Sequence, residues 1–125
     1  MRWFRWTSWA VVAALGGAAH AGEACNATLG KQVFETKCVA CHAMGAHKVG
    51  PRLDRLVGRK VGSAKGFEYS PAMAALSAKG FKWDEARLDA FLTDPQAYAP
   101  GTAMAFRGLQ AKDERSALVC FVKQQ

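Results

Sequence analysis

The chain has 125 residues, a formal net charge of +7 and a hydrophobic content of 50%. This length suits a single domain. Its lysines are scattered along the sequence, which excludes the concentrated basic stripe that nucleic-acid binding requires. We expect instead a diffuse positive surface that steers the protein toward acidic partners.

Residues 1–21 have the pattern of a secretory signal peptide. Arg2 and Arg5 form a positive start, an apolar run of small residues follows, and Ala19-His20-Ala21 matches a cleavage site. The apolar run is too short to span a bilayer comfortably. We therefore predict export and cleavage, which leaves residues 22–125 as one domain in the periplasm without stable membrane insertion. An uncleaved amino-terminal anchor is the alternative.

Apolar residues at helical spacing predict four helices and no strand in the remaining chain. The first helix leads into a cysteine pair, and the second begins at Ser70-Pro71, a helix cap followed by proline. Long Gly- and Pro-containing loops separate the helices, so the predicted fold class is all-α with loops that wrap around something. The predicted helices cover residues 28–39, 71–80, 84–94 and 112–123.

Cys38-Val39-Ala40-Cys41-His42 follows the first predicted helix and has the spacing of a covalent haem attachment site. On one helical turn, Cys38, Cys41 and His42 share a face, so two thioethers and an iron ligand come from the same side. A zinc half-site or a redox dithiol would also use paired cysteines. A zinc site would need a second pair of ligands, and a redox dithiol would need a βαβ pattern; the sequence has neither. We predict one covalent haem c.

A histidine-ligated haem leaves a sixth iron position, and the residue that fills it determines the function. The candidates are Met44, His47, Met73 and Met104. Met44 and His47 follow His42 too closely to reach the other haem face, and Met73 is expected in the core of the second helix. Met104 follows a proline and a glycine that can fix a loop, and a thioether suits haem iron. Met104 is therefore the predicted second ligand.

From about Gly30 to Gln124 the sequence resembles the class I c-type cytochromes, which include mitochondrial cytochrome c. The resemblance implies the cytochrome c fold, about four helices around one haem, and one-electron transfer without catalytic residues. The motifs that carry it, in chain order, are Gly30 and Phe34, the Cys38–His42 motif, Gly50-Pro51-Arg52-Leu53, Gly58-Arg59-Lys60, Tyr69, Trp83, Asp94-Pro95, Pro100-Gly101-Thr102, Met104, Leu118 and Phe121.

The resemblance also implies roles for five further residues. The Pro51 carbonyl would accept a hydrogen bond from His42 Nδ1, which fixes the imidazole for iron ligation. The other four, which would hold or neutralise a haem propionate, are Arg59, Tyr69, Trp83 and Thr102.

Cys25 and Cys120 lie outside the family pattern. Exported proteins tend to pair leftover cysteines, and in this family the first helix packs against the last. We therefore expect a Cys25–Cys120 disulfide; two separate thiols are the alternative.

The sequence thus predicts a monomeric periplasmic electron carrier, not an enzyme, which docks through a basic face. Its partner could be a respiratory complex, an oxidase, a photosynthetic reaction centre or a periplasmic dehydrogenase. Two rivals remain open. One is a gas-binding or peroxidase-like haem from which Met104 is displaced, and the other is a haem subunit of a larger oxidoreductase.

Overall fold

The computed structural model describes residues 24–125, in which five helices occur and no β-strand. The helices are α1 (Ala27–Lys37), α2 (Pro71–Ala78), α3 (Glu85–Thr93), α4 (Pro95–Tyr98) and α5 (Lys112–Lys123). The predicted all-α class is confirmed. The predicted signal peptide, residues 1–21, lies outside the described residues. Within residues 24–125, no helix is long and apolar enough to cross a membrane.

Four of the helices begin at a side chain that accepts a hydrogen bond from the first helical turn. Such caps satisfy backbone N–H groups that have no partner inside the helix. The short α4 was not predicted, because its four residues give no periodicity. It begins where Asp94 caps a new turn and Pro95 occupies the first helical position. The capping residues are Asn26, Ser70, Asp84 and Asp94.

The helices α1 and α5, at opposite ends of the described chain, cross at Gly30. A Cβ at this position would overlap the backbone carbonyl of Ala117, so only glycine allows the two backbones to approach this closely. Phe34 and Phe121 pack beside the crossing, with ring centroids 5.6 Å apart. The crossing thereby places the end of α1, and the cysteine pair that follows it, against α5.

An aromatic cluster links the loops to α3 and α4. The Trp83 ring lies 5.2 Å from Phe91 and 6.2 Å from Tyr98, measured between ring centroids. Trp83 is buried, and its backbone exchanges hydrogen bonds with the loop at Gly58 and Arg59. Burial of such large rings contributes much of the apolar stabilisation in a domain of this size.

The segment before α1 is close to α5 at a second point. The Cα atoms of Cys25 and Cys120 lie 5.7 Å apart, and their sulfur atoms are in contact. This Cα separation is within the range that a disulfide spans.

Candidate haem-binding site

A cavity of about 430 Å³ lies between the helices and the long loops. This volume falls within the roughly 300–1,000 Å³ that is typical of cofactor sites. The paired cysteines, His42 and Met104 all line it. Most of its wall is apolar, and the buried apolar side chains in that wall are Phe34, Leu56, Trp83, Leu88, Phe91, Leu118, Val119 and Val122.

The cysteine motif forms one turn directly after α1. The His42 amide donates to the Cys38 carbonyl at 2.9 Å, which is the i to i+4 bond of a helical turn. Cys38, Cys41 and His42 consequently line the same cavity. Both thiols are free, and Cys41 is exposed while Cys38 is half-buried. No group of three or more His, Cys, Asp or Glu side chains suited to a metal occurs in residues 24–125.

The His42 ring is held in one orientation. Its Nδ1 lies 2.8 Å from the Pro51 carbonyl oxygen, which can only accept, so Nδ1 carries the hydrogen and Nε2 keeps its lone pair. Gly50 packs flat against the same ring, since a Cβ at that position would overlap the imidazole. The neutral imidazole is therefore prepared to donate Nε2 to a metal ion.

The protonation states of these groups follow from burial. Burial lowers the pKa of His42 below its ordinary 6.5; the hydrogen bond to Pro51 opposes this effect, and Lys48 adds to it. Burial also raises the pKa of the Cys38 thiol from 9.0 to about 11, against a smaller lowering by Lys37. At neutral pH the site thus offers a neutral imidazole together with a protonated Cys38 thiol.

Met104 reaches the cavity from the loop between α4 and α5. Its backbone N–H donates to the Thr102 hydroxyl at 3.3 Å, and Thr102 is one of two buried polar residues among those described. Gln96 also donates to the backbone carbonyls of Thr102 and Met104. These bonds fix the loop that presents the thioether. Thr102 therefore has a positioning role toward Met104 that the sequence did not indicate.

The other three candidate iron ligands differ in their surroundings. Met44 is partly buried against the hydrophobic core and is not among the residues that line the cavity. Met73 of α2 also lines the cavity. His47, by contrast, uses both ring nitrogens: Nδ1 accepts from the Arg52 amide, and Nε2 contacts the Lys65 carbonyl at 2.9 Å. His47 thus joins two loops and is not free to ligate a metal.

Arg59, Tyr69 and Trp83 line the cavity, as the prediction of propionate contacts requires. Arg59 donates to the backbone carbonyls of Arg52 and Asp54, yet its buried Nε has no hydrogen-bond partner among the described residues. Burial lowers the pKa of the Arg59 guanidinium below its ordinary value. The Tyr69 hydroxyl accepts from the Ala64 amide, which leaves its own hydrogen available to an acceptor.

The mouth of the cavity carries little charge. Six of the lining residues are exposed, of which one is a cation and one an anion, and Val49 is 79% exposed. The exposed residues at the mouth are Lys37, Cys41, Val49, Glu68, Ala103 and Ala105.

The residues of the cavity fit a covalent haem. Two thiols and an imidazole lie on one turn, a thioether enters from another loop, and the apolar wall suits a macrocycle. The unpartnered Nε of Arg59 is a buried donor that a propionate carboxylate would satisfy. An all-α domain with this donor set around an apolar cavity defines a class I c-type cytochrome.

Comparison with known proteins agrees. The Cytochrome c family model matches residues 27–125, and the chain belongs to this family. It is 40% identical to a cytochrome c of Stellaria longipes over 101 residues, which are 78% of this chain and 91% of the relative. It is also 40% identical to cytochrome c type-1 of Ascaris suum over 98 residues, or 77% and 85% of the two chains.

A solved structure is also similar. Cytochrome cH from Methylobacterium extorquens superimposes with a TM-score of 0.73 at 35% identity, covering 80% of this chain and 99% of that one. Members of the family are haem-containing electron carriers, and this chain carries one haem c, attached through Cys38 and Cys41. The predicted family, fold and cofactor are thereby confirmed.

Proposed function

We propose that this protein is a periplasmic one-electron carrier whose haem is ligated by His42 and Met104. The observation that carries the proposal is the arrangement of one cavity, into which the paired thiols, an imidazole with a fixed free Nε2 and a thioether all project. When bound, the haem supplies the reversible one-electron chemistry of its iron.

The protein's own residues set the conditions for that chemistry. Pro51 holds the Nδ1 hydrogen of His42, which makes Nε2 a stronger donor. Thr102 and Gln96 hold the loop of Met104, and the apolar wall excludes water. The residues that hold the propionates are Arg59, Tyr69, Trp83 and Thr102, all of which line the cavity. The role that we propose is electron transfer, as in the electron carriers of this family, and not enzymatic catalysis.

Compartment and cysteine chemistry belong to the same proposal. Residues 1–21 carry the pattern of a signal peptide, and thioether formation requires free thiols on an unfolded chain, which is compatible with export. The oxidising periplasm also favours a Cys25–Cys120 disulfide, which the 5.7 Å separation of the two Cα atoms supports.

The partners are redox proteins, and we propose that docking has two contributions. Residues 22–125 contain 15 Lys and Arg against 10 Asp and Glu, and this net charge of +5 steers the carrier toward acidic surfaces over long range. The nearly uncharged mouth of the cavity then lies at the contact, where burial of Val49 and small side chains favours association. A respiratory complex, an oxidase, a photosynthetic reaction centre or a periplasmic dehydrogenase would suit a monomeric carrier of this kind.

The decisive experiment compares Met104→Ala with Met73→Ala in the exported holoprotein. Both methionines line the cavity, so the second variant is a matched control. We expect the ferric wild type and Met73→Ala to show the sulfur-to-iron charge-transfer band, and Met104→Ala to lose it. The ferrous Met104→Ala variant should bind carbon monoxide rapidly, while the wild type should not.

Two results would contradict the proposal. Loss of the charge-transfer band in Met73→Ala but not in Met104→Ala would show that Met73 of α2 is the second iron ligand. Rapid and complete carbon monoxide binding by the wild type at neutral pH would favour a gas-binding or peroxidase-like haem.

A further inference from the structure

Asp54 occupies a central place in the loop that follows the haem motif. Its Oδ1 accepts from the Gly45 amide at 2.8 Å, and its Oδ2 accepts from Arg52 Nη1 at 2.6 Å. Gly45 lies on the limb of the loop that leaves His42, and Arg52 lies on the limb that returns. One carboxylate therefore joins the two limbs.

The loop that Asp54 closes carries the Pro51 carbonyl. Pro51 is adjacent to Arg52, and the limbs are further joined by the bonds from the Gly50 amide to the Cys41 carbonyl and from the Leu53 amide to the Ala43 carbonyl. The position of the Pro51 oxygen relative to His42 Nδ1 thus depends on how firmly the limbs are held together.

The network also includes Arg59, which lines the cavity. Arg59 donates through Nη1 to the Asp54 carbonyl and through Nη2 to the Arg52 carbonyl. The Asp54 side chain is 23% exposed and that of Arg52 is 33% exposed, so solvent competes less for this pair than for a surface pair. The Gly45 bond, with Arg52 as a smaller cause, lowers the pKa of the Asp54 carboxyl below its ordinary 3.8, so the group is ionised at neutral pH.

We propose that Asp54 is a positioning residue for the haem ligand: by joining Gly45 to Arg52 it fixes the Pro51 carbonyl, and through it the orientation and donor strength of His42. This inference rests on the proposed function, in which His42 binds iron. Asp54 touches neither the ligand ring nor the cavity, so it acts only through the loop.

The test uses three variants of the holoprotein. Asp54→Ala removes both bonds of the carboxylate. Asp54→Asn keeps an oxygen for the Gly45 amide but loses the charge and the Arg52 bond, because its amide nitrogen cannot accept from Arg52. Asp113→Asn removes an exposed negative charge from the first turn of α5 and is the control for charge alone.

Two readouts report on the ligand itself: solvent exchange of the His42 Nδ1 hydrogen, observed by NMR of the ferric protein, and the reduction potential. The amide of Leu118 in the core of α5 reports on global opening. In Asp54→Ala we expect the Nδ1 hydrogen to exchange about fivefold faster, because the loosened loop weakens the Pro51–His42 bond by about the equivalent of one hydrogen bond. The Leu118 amide should exchange at the wild-type rate. The potential should rise further in Asp54→Ala than in Asp54→Asn, because a weaker Pro51 bond makes His42 a poorer donor to ferric iron.

Three outcomes would overturn the inference. The first is an unchanged exchange rate of the His42 Nδ1 hydrogen in Asp54→Ala. The second is an equal increase in the exchange rate of the Leu118 amide. The third is a shift of the reduction potential that is the same in Asp54→Ala and Asp54→Asn. If the Asp54→Ala protein does not accumulate, Arg52→Gln replaces it, because this variant removes the Arg52 partner of Asp54. Faster exchange of the His42 Nδ1 hydrogen in Arg52→Gln than in the wild type would then support the inference, and unchanged exchange would overturn it. A wild type without spectroscopic signs of histidine ligation would instead contradict the proposed function.

Discussion

The backbone of Gly30 in α1 lies directly against the carbonyl group of Ala117 in α5, with no space for a carbon atom between them. The contact is flanked by the rings of Phe34 and Phe121. Since α1 continues into the cysteine turn and α5 contributes Leu118, Val119 and Val122 to the cavity wall, this one approach sets the relative position of two sides of the site.

We expect Gly30→Ala to destabilise the protein by about 1–3 kcal/mol, the usual effect of overpacking. In a solvent-exposed helix the same change would stabilise by about 1 kcal/mol, so the sign of the effect is diagnostic. Denaturant unfolding of the holoprotein measures it. Lys31→Ala, at the exposed neighbouring position, is the control and should change stability little. A stabilised Gly30→Ala variant would contradict the close contact.

Replacement of Thr102 should loosen the loop that holds Met104. In Thr102→Val the Met104 amide loses its acceptor, so we expect added imidazole to displace the thioether about fivefold more readily, as for one lost hydrogen bond. Titration of the ferric charge-transfer band measures the displacement. Thr102→Ser keeps the hydroxyl and should behave like the wild type. Equal behaviour of the valine and serine variants would argue against this role.

Asp84 should make α3 sensitive to acid. Its carboxylate accepts from the Arg87 amide at the start of the helix and pairs with the Arg87 guanidinium. The hydrogen bond from the amide is the main cause that lowers the pKa of Asp84 below its ordinary 3.8, with Arg87 contributing less. The folded state therefore binds this proton less readily than the unfolded state does. Asp84 contributes stability above its ordinary pKa, and this contribution is lost as the pH falls through the lowered value.

Asp84→Asn keeps an oxygen at the cap and removes the titration. We expect the variant to be less stable than the wild type at neutral pH, and we expect the difference to shrink at acid pH as the Asp84 carboxyl takes up its proton. Urea unfolding at the two pH values gives the comparison, and Asp113→Asn on α5 is the control. A stability difference that is independent of pH would show that the charge of Asp84 has no part in the cap.

The Cys25–Cys120 pair should stabilise the domain if it is oxidised. A bond between residues 95 apart closes nearly the whole domain. On the entropic model its loss should cost about 3–5 kcal/mol, so the Cys25→Ser/Cys120→Ser double variant should unfold at lower denaturant concentration. Mass spectrometry with and without reductant should show a gain of two hydrogens in the wild type alone. Two free thiols in the exported wild type would refute the pairing.

The helices could be predicted from the sequence where they are long and amphipathic. α5 was predicted with the observed bounds, Lys112–Lys123, and the start of α2 was visible in Ser70-Pro71. α1 ends at Lys37, two residues before the expected end, because the chain there enters the cysteine turn. α4 was missed, since only Asp94-Pro95 marked it and a cap without periodicity is a weak signal.

The site residues were predicted by motif, together with the hydrogen bond between His42 and Pro51, but the other hydrogen bonds of the site were not. The role of His47 depends on its contact with Lys65, 18 residues further along the chain, and the role of Asp54 depends on a contact across one loop with Gly45. Neither residue lies in a motif that specifies a partner. Tyr69 was predicted to hold a propionate, and nothing in the sequence indicated that its hydroxyl would also accept from Ala64. Pairings of this kind arise from the folded path of the backbone, which local patterns do not encode.

The meeting of the first and last described helices also bears on how quickly the chain folds. Contacts between distant segments form slowly, because the intervening loop must be ordered before the contact stabilises anything. Closing a loop costs only about 0.6 kcal/mol more for each doubling of its length, but for these helices the loop is nearly the whole domain. In a chain that is already joined at Cys25 and Cys120, the segments that form α1 and α5 are held close together before folding begins. Refolding of the oxidised holoprotein should therefore be faster than refolding of the reduced one, whatever the difference in their final stability.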